Sequence, residues 1–485
     1  MNQPYPPSPA ADSGPYDLLV MGSGPAGIAA AMQACKLNKK VAIIEAHPDN
    51  LGGSWLHTGT IPSKTLREVL AAIQNIKYHV GHHWVDRIVN NLSSNLLIKR
   101  ARKVSGDEED HVRKFLKRNE IEVISGYGRI ETTNSVRVTP RDHAPFILET
   151  EKIMIATGSR PRRPADIPFD DWRVVDSDGI LQLEALPSSV LVFGAGVIGC
   201  EYACIFSALG VKTTIVDARQ RIMQFVDREV ADELKSSMES LGVEFRLGYH
   251  LDQLEVTGPG VICHAGDTKI ESDIFFFAAG RESCTRDLGL NRVGIETSNR
   301  GAIQVNEFFQ TSVPSIYAAG DVIGPPALAS TSREQGRLAM QHAFDGSLRT
   351  FPKFFPVGVY TIPEMSSVGQ SEEELKKEGI DYVVGRANYD ELARGYIRGD
   401  HHGLLKIIVE KSSHKVLGVH VIGADAANLV HIGQAWMMAD VRLDEALNGT
   451  VFNYPTLAEA YQIAAFNALN KILEAEKKDS TLKAG

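Results

Sequence analysis

Apolar runs of four or five residues, each closed by glycines and followed by a helix-like stretch, organise the chain. Asp17-Leu18-Leu19-Val20-Met21 opens the first, enters Gly22-Ser23-Gly24-Pro25-Ala26-Gly27, and continues with helical spacing over 28–36. A second apolar run, 41–44, ends on Glu45. Short apolar runs alternating with helices predict βαβ units. The pattern returns as Val190-Leu191-Val192-Phe193, then Gly194-Ala195-Gly196-Val197-Ile198-Gly199, a helix over 200–209, a strand over 213–216, and Asp217. Gly22 to Glu45 and Gly194 to Asp217 are equally spaced, so one structural unit occurs twice.

Between the two units, helical spacing covers 65–76 and much of 92–116, with the charge-rich 106–110 read as a solvated turn. A polar, strand-like region over 122–149 closes on Ile155-Ala156-Thr157-Gly158. After the second unit, Phe275-Phe276-Phe277-Ala278-Ala279-Gly280 mirrors that ending, and Ser315-Ile316-Tyr317-Ala318-Ala319-Gly320-Asp321 follows. From about 351 the composition shifts. Strands over 404–409 and 416–422 are expected to pair antiparallel about Ser412-Ser413, with helices over 426–438 and 457–473.

The glycine spacing carries chemistry. Gly22 allows a tight turn, Gly24 lets the backbone approach a pyrophosphate, and Gly27 lets helix and strand pack closely; Gly194, Gly196 and Gly199 repeat the set. The N–H groups opening each helix face the phosphates, and Glu45 and Asp217 stand where a carboxylate accepts ribose hydroxyls. Two such units imply two bound nucleotides. The second is ambiguous in its preference. Asp217 favours the free 2′-hydroxyl of NAD, whereas Arg219 and Arg221 are each suited to the 2′-phosphate of NADP.

Size and charge narrow the class. At 485 residues, with 43% hydrophobic and 23% charged residues, the chain has the make-up of a multidomain globular protein. A net charge of −9 without a basic cluster argues against nucleic acid as a partner. No apolar run approaches the roughly 20 residues that span a bilayer, so no membrane partner is expected. Residues 1–15, rich in proline, read as a flexible lead without the apolar core of a signal peptide, which makes the cytoplasm the expected location. Five cysteines, an odd number with no C-x-x-C spacing, do not form a disulfide framework. Cys200 and Cys204 share a helix face and are expected to be packing residues.

The stretch Leu51-Gly52-Gly53-Ser54-Trp55-Leu56-His57-Thr58-Gly59-Thr60-Ile61-Pro62-Ser63-Lys64 resembles the redox segment of the flavoprotein disulfide reductases. In that family two cysteines, with four residues between them, relay electrons from flavin to a disulfide. Here the frame is kept, but Trp55 and Thr60 stand in the cysteine positions. The family's terminal His-Pro-Thr-x-x-Glu reads Tyr454-Pro455-Thr456-Leu457-Ala458-Glu459, so the proton shuttle is replaced too. A phenol with an ordinary pKa near 10 is a poor shuttle at neutral pH. One branch of the family, the soluble pyridine nucleotide transhydrogenases, shares the Asn-Tyr-Pro-Thr sequence and lacks the second cysteine.

The resemblance implies an α/β fold: two Rossmann-like dinucleotide-binding domains plus a C-terminal α+β dimerisation domain. It implies an FAD-binding domain over 16–158 and 281–350, an NAD(P)-binding domain over 159–280, and an interface domain over 351–485 that makes a homodimer. It assigns cofactor contacts to Gly22, Gly24, Gly27, Glu45, Gly53, Lys64, Thr157, Gly158 and Asp321, with FAD first. Those toward NAD or NADP, as substrates, continue through Gly194, Gly196, Gly199, Asp217, Arg219 and Gly280. Lys64 takes the place of a lysine near flavin N5, and Glu201 that of the glutamate that pairs with it. Trp55 lies near the flavin face opposite the nicotinamide, either stacked on the ring or filling volume; His57 is either a flavin donor or structural. The expected activity is hydride transfer between NADPH and NAD through FAD. The alternatives are an NAD(P)H oxidase or quinone reductase, or an FAD-binding protein that has lost catalysis. No metal site is expected.

Overall fold

The computed structural model describes residues 14–80, 94–183, 185–266, 268–400 and 402–484. The lead expected over 1–15 lies almost wholly outside them. From the N-terminus come β1 (Tyr16–Met21), α1 (Pro25–Lys36), β2 (Val41–Glu45), the short α2 (Ser54–His57), α3 (Thr60–Val80) and α4 (Ser94–Arg118). Four strands follow, β3 (Glu122–Ser125), β4 (Tyr127–Thr132), β5 (Ser135–Thr139) and β6 (Phe146–Ile155), then β7 (Ser159–Pro161) and β8 (Val174–Val175). The strand–helix alternation resumes with β9 (Ser189–Phe193), α5 (Val197–Ala208), β10 (Lys212–Asp217), α6 (Arg228–Leu241) and β11 (Val243–Leu247). Then come β12 (Gln253–Val256), β13 (Val261–Ala265), β14 (Thr268–Ser272), β15 (Ile274–Phe277), β16 (Arg281–Ser283), β17 (Ile316–Ala318) and α7 (Ala329–Asp345). The C-terminal part holds β18 (Val357–Val359), β19 (Met365–Gly369), α8 (Glu372–Glu378), β20 (Tyr382–Asn388), β21 (Leu404–Glu410), β22 (Val416–Ile422), α9 (Ala426–Met438) and α10 (Glu459–Ala484).

The chain divides into two compact units. The first combines Met1–Thr65, Ile98–Pro164 and Gly280–Pro352. Its sheet runs β3-β2-β1-β6-β5-β4, with β17 also on β6. β1, β2, β3, β6 and β17 pair in parallel, while the first half of β6 turns antiparallel to β5. Period-two alternation splits β1 between two cores. Leu18 and Val20 pack with Ala30 and Ala34 of α1, and Leu19 and Met21 pack on the other side with Ile130 and Val136.

The second unit combines Leu66–Leu97, Ala165–Ala279 and Lys353–Gly485. It holds a parallel sheet, β11-β10-β9-β15-β8, and an antiparallel one, β18-β19-β22-β21-β20. The expected 404–409 and 416–422 strands are β21 and β22, and they do pair antiparallel. Lys406 on β21, 1% exposed, meets Asp227 at 2.8 Å, Glu229 at 2.9 Å and Glu372 at 2.6 Å. Arg386 on β20 forks onto Glu229 at 2.6 and 2.8 Å. Asp227 caps α6 and Glu372 opens α8, so buried charges fasten the 165–279 segment to the 353–485 segment.

One expectation needs correction. Residues 106–110 are not a turn; they lie inside α4. Leu97, Ala101, Ser105 and Leu116 are buried at helical spacing, while Gly106 and Asp107 face out. The apolar stripe continues through the charge-rich segment, and Glu109 with Arg113 forms an i,i+4 pair across it.

Candidate active site

In the first unit, the turn after β1 brings Glu45 to the start of α1. One carboxylate oxygen accepts from the Ser23 amide at 2.9 Å and from Ser23 Oγ at 2.6 Å, and the other from the His47 amide at 2.8 Å. A Cβ on Gly27 would stand 2.0 Å from the Gly22 carbonyl, so only glycine permits this helix to sit so close to its strand. α1 begins at Gly24 with no side-chain cap, and the space beside Gly24 is open. Uncapped N–H groups next to free room suit the negative charge of a diphosphate.

The 51–64 stretch is tied to this turn. The Gly52 amide donates to Ser23 Oγ at 2.9 Å, and a Cβ on Gly53 would lie 3.3 Å from Gly24 Cα. Trp55 sits on α2, half-buried; its Nε1 is buried with no hydrogen-bond partner among the described residues. The Arg333 guanidinium lies 6.0 Å from the Trp55 ring centre. His57 Nε2 donates to the Leu51 carbonyl at 3.0 Å, a local tie that holds α2 to the segment before it. Thr60 opens α3, and half-buried Lys64 one turn on has its Nζ 3.4 Å from Ser63 Oγ.

Where β6 ends, Thr157 Oγ1 donates to the Cys284 carbonyl at 2.8 Å, and the Cys284 amide donates to Gly158 O at 2.9 Å. The space beside Gly158 and beside Gly280 is open. Asp321 accepts from Ser159 Oγ at 2.7 Å, and Arg281 Nε donates to that same hydroxyl at 2.8 Å. Ser23 and Ser159 therefore each hold one of the expected acids, Glu45 and Asp321. Neither serine stands at a motif position, and no pattern in the chain marks them.

In the second unit the geometry repeats. A Cβ on Gly199 would stand 1.9 Å from the Gly194 carbonyl, α5 starts at Gly196 without a side-chain cap, and the space beside Gly196 is open. The Ala195 amide donates to Asp217 Oδ2 at 2.6 Å, as the Ser23 amide does to Glu45. Arg219 folds back onto Asp217, Nε to Oδ1 at 2.8 Å and Nη2 to Oδ2 at 2.6 Å. Burial opposes charge on Asp217, but the bonds from Arg219 and the Ala195 amide outweigh it and hold the carboxyl below its ordinary range. Arg221 points elsewhere, to the Gln224 carbonyl at 3.0 Å and to Glu373 at 3.3 Å. Glu201 on α5 is 4% exposed and accepts from the Tyr360 amide at 2.9 Å.

Cys200 and Cys204 on α5 are buried free thiols; burial pushes Cys200 well up and Cys204 up to about 12. Such thiols stay protonated and inert. Tyr454 is 75% exposed ahead of Pro455, and Glu459 accepts from the Thr456 amide at 3.2 Å. Among the described residues no helix is long and apolar enough to cross a membrane, and no cluster of His, Cys, Asp and Glu is fit to hold a metal ion.

Residues 16–336 match the pyridine nucleotide-disulphide oxidoreductase family, and 355–465 match that family's dimerisation domain. The soluble pyridine nucleotide transhydrogenase of Mycobacterium tuberculosis is 45% identical, covering 94% of this chain and 98% of that one. The protein of the same name from Marinomonas sp. is 42% identical over 94% and 99%. Among solved structures, the HOCl-induced flavoprotein disulfide reductase RclA from Escherichia coli superposes with a TM-score of 0.84 at 26% identity, covering 93% of this chain and 99% of that one. LpdA from Mycobacterium tuberculosis gives 0.85 at 26% identity, over 92% and 98%. With the duplicated glycine turns, their terminal acids and the C-terminal antiparallel sheet, these matches show that the chain belongs to the pyridine nucleotide-disulphide oxidoreductase family.

Proposed function

We propose that the protein transfers a hydride between NADPH and NAD through a bound FAD, as a homodimer and without a redox disulfide. The observation that carries this reading is the pairing of two intact nucleotide cradles with a redox segment whose cysteine positions hold Trp55 and Thr60. The relatives at 42–45% identity that are named transhydrogenases support it.

Bound FAD supplies a ring that accepts a hydride from one nicotinamide and returns it to another. The chain's own groups bind and orient. The start of α1 and Gly24 hold the diphosphate, Glu45 the ribose, and Asp321 the chain leading to the ring, with Gly53, Thr157 and Gly158 as further backbone contacts. Lys64 would place a fixed positive charge where negative charge develops on reduction, and Glu201, buried on α5, would be a fixed acid of the nicotinamide-binding unit. Gly194, Gly196, Gly199, Asp217 and Arg219 hold the nicotinamide nucleotide, and Gly280 leaves backbone room at the return of the chain. Trp55 and Thr60 offer no thiolate, so the 51–64 stretch carries no disulfide acceptor. Met438, Val451, Tyr454 and Phe466, all exposed, give the C-terminal domain the apolar surface that association of two copies needs.

Anaerobic bleaching of the flavin by NADPH, then addition of thio-NAD, tests this. Reoxidation within the turnover time is expected, at least tenfold slower bleaching in Lys64→Met, and no turnover of a dithiol. Reoxidation by menadione or oxygen alone would assign the protein to the quinone reductases or oxidases instead.

A further inference from the structure

The two cradles differ at one point. In the first, the acid is held by a serine hydroxyl; in the second, the matching residue is Ala195, which has none. Arg219 supplies the missing bonds. Asp217 Oδ1 accepts from the Arg219 amide at 2.8 Å and from Nε at 2.8 Å, while Oδ2 accepts from the Ala195 amide at 2.6 Å and from Nη2 at 2.6 Å. A carboxylate offers about four acceptor sites, so Asp217 as it stands has none left for a ribose. The Arg219 side chain is 44% exposed, whereas that of Asp217 is 6% exposed. The guanidinium has five N–H groups, and Asp217 takes two of them. Arg221 is already committed to two backbone carbonyls and Glu373.

We propose that Arg219 is an exchangeable counter-ion that lets this one cradle take both NADP(H) and NAD(H), which rests on the transhydrogenase reading above. With a 2′-phosphate present, Arg219 stays over Asp217, cancels its charge, and turns its remaining N–H groups to the phosphate. With a free ribose diol, the guanidinium swings into solvent and the hydroxyls take the two sites it vacates on Oδ1 and Oδ2. The Ala195 and Arg219 amides keep Asp217 in place in both states. Discrimination between the two nucleotides is thereby weakened on purpose: the same acid that would reject a phosphate carries its own neutralising group.

The test is calorimetric titration of the flavin-loaded full-length protein with adenosine 2′,5′-bisphosphate and with AMP. In Arg219→Ala the bisphosphate is expected to bind at least tenfold more weakly, because Asp217 then repels it, while AMP binds as tightly as before or more so. Arg219→Gln, which keeps a long side chain without the charge, is expected to behave likewise. Asp217→Asn combined with Arg219→Ala is expected to recover part of the bisphosphate affinity. Unchanged bisphosphate binding in both single variants, or equal weakening of both ligands, would overturn the proposal. These titrations read no hydride transfer, so a failure of the transhydrogenase reading shows up separately, in the thio-NAD assay.

Discussion

Ser23 Oγ donates to Glu45 and accepts from the Gly52 amide, so one buried hydroxyl joins the acid, the glycine turn and the 51–64 stretch. Removing it leaves the Gly52 N–H without that acceptor and takes one of three donors from Glu45. A buried polar group left unpaired costs about 1–3 kcal/mol. Ser23→Ala is therefore expected to lower the urea midpoint of the apoprotein and to weaken FAD at least tenfold in a flavin-fluorescence titration. Wild-type values for both would show that the hydroxyl is idle. Ala195 occupies the equivalent position in the second cradle, which indicates that the smaller side chain fits sterically. At this scale the glycines and the acids were readable in the chain, since their spacing is dictated by local backbone geometry. Ser23, Ser159 and the Asp217–Arg219 clasp were not. Their roles depend on which side chain the fold brings opposite them, and the variable positions of a glycine motif carry no such information.

α4 shows what periodicity reads well and what composition misreads. Its buried positions run straight through the glycine and the charges, yet the charges alone suggest a break. A single glycine in a helix interior costs about 0.5–1 kcal/mol relative to alanine, less than a 25-residue amphipathic helix gains from its buried stripe. A Cβ on Gly106 meets nothing within 4 Å, and the residue is exposed. Gly106→Ala should therefore stabilise the fold by about 0.5–1 kcal/mol, read as a higher urea midpoint. A lower midpoint would mean that the glycine's flexibility is needed there. The Rossmann strands and helices were legible because short apolar runs and glycine turns are local signals. The lengths of α3 and α10 were not, since helix ends depend on tertiary contacts.

Across the second unit, the ion cluster around Lys406 fastens segments more than a hundred residues apart in the chain. Lys406 falls within the apolar run Leu404-Leu405-Lys406-Ile407-Ile408, on the face it shares with buried Leu404 and Ile408, and nothing local marks its partners; only the fold places three carboxylates over it. Burial opposes charge at Asp227, Glu229 and Glu372, but Lys406, with the field of His420 at Asp227 and Arg386 at Glu229, holds all three below their ordinary values. Burial also pulls Lys406 down, yet the carboxylates outweigh it and raise it. His420 on β22, buried beside Asp227, Lys406 and Glu374, is lowered chiefly by burial. The depressed carboxylates stabilise the fold fully above pH about 4.5 and lose this as pH falls through their folded values. The raised lysine contributes fully below about 10.5 and less as pH climbs past it, and His420 contributes fully above about 6.5. The urea midpoint should thus be flat from about pH 7 to 10 and fall below pH 6.5, with the first part of that fall absent in His420→Leu. Lys406→Met, which leaves buried carboxylates uncompensated, is expected to cost about 3–5 kcal/mol. A midpoint that stays level as pH falls from about 4.5 to about 2 would remove the cluster from any part in stability.

Two copies of one nucleotide cradle thus grip their acids by different means: a short hydroxyl fixed in the packing, and a long arm that can pivot into water. A berth of the first kind suits an occupant that stays for the lifetime of the protein. One of the second kind suits visitors that differ by a single phosphate and must be admitted and dismissed at every cycle.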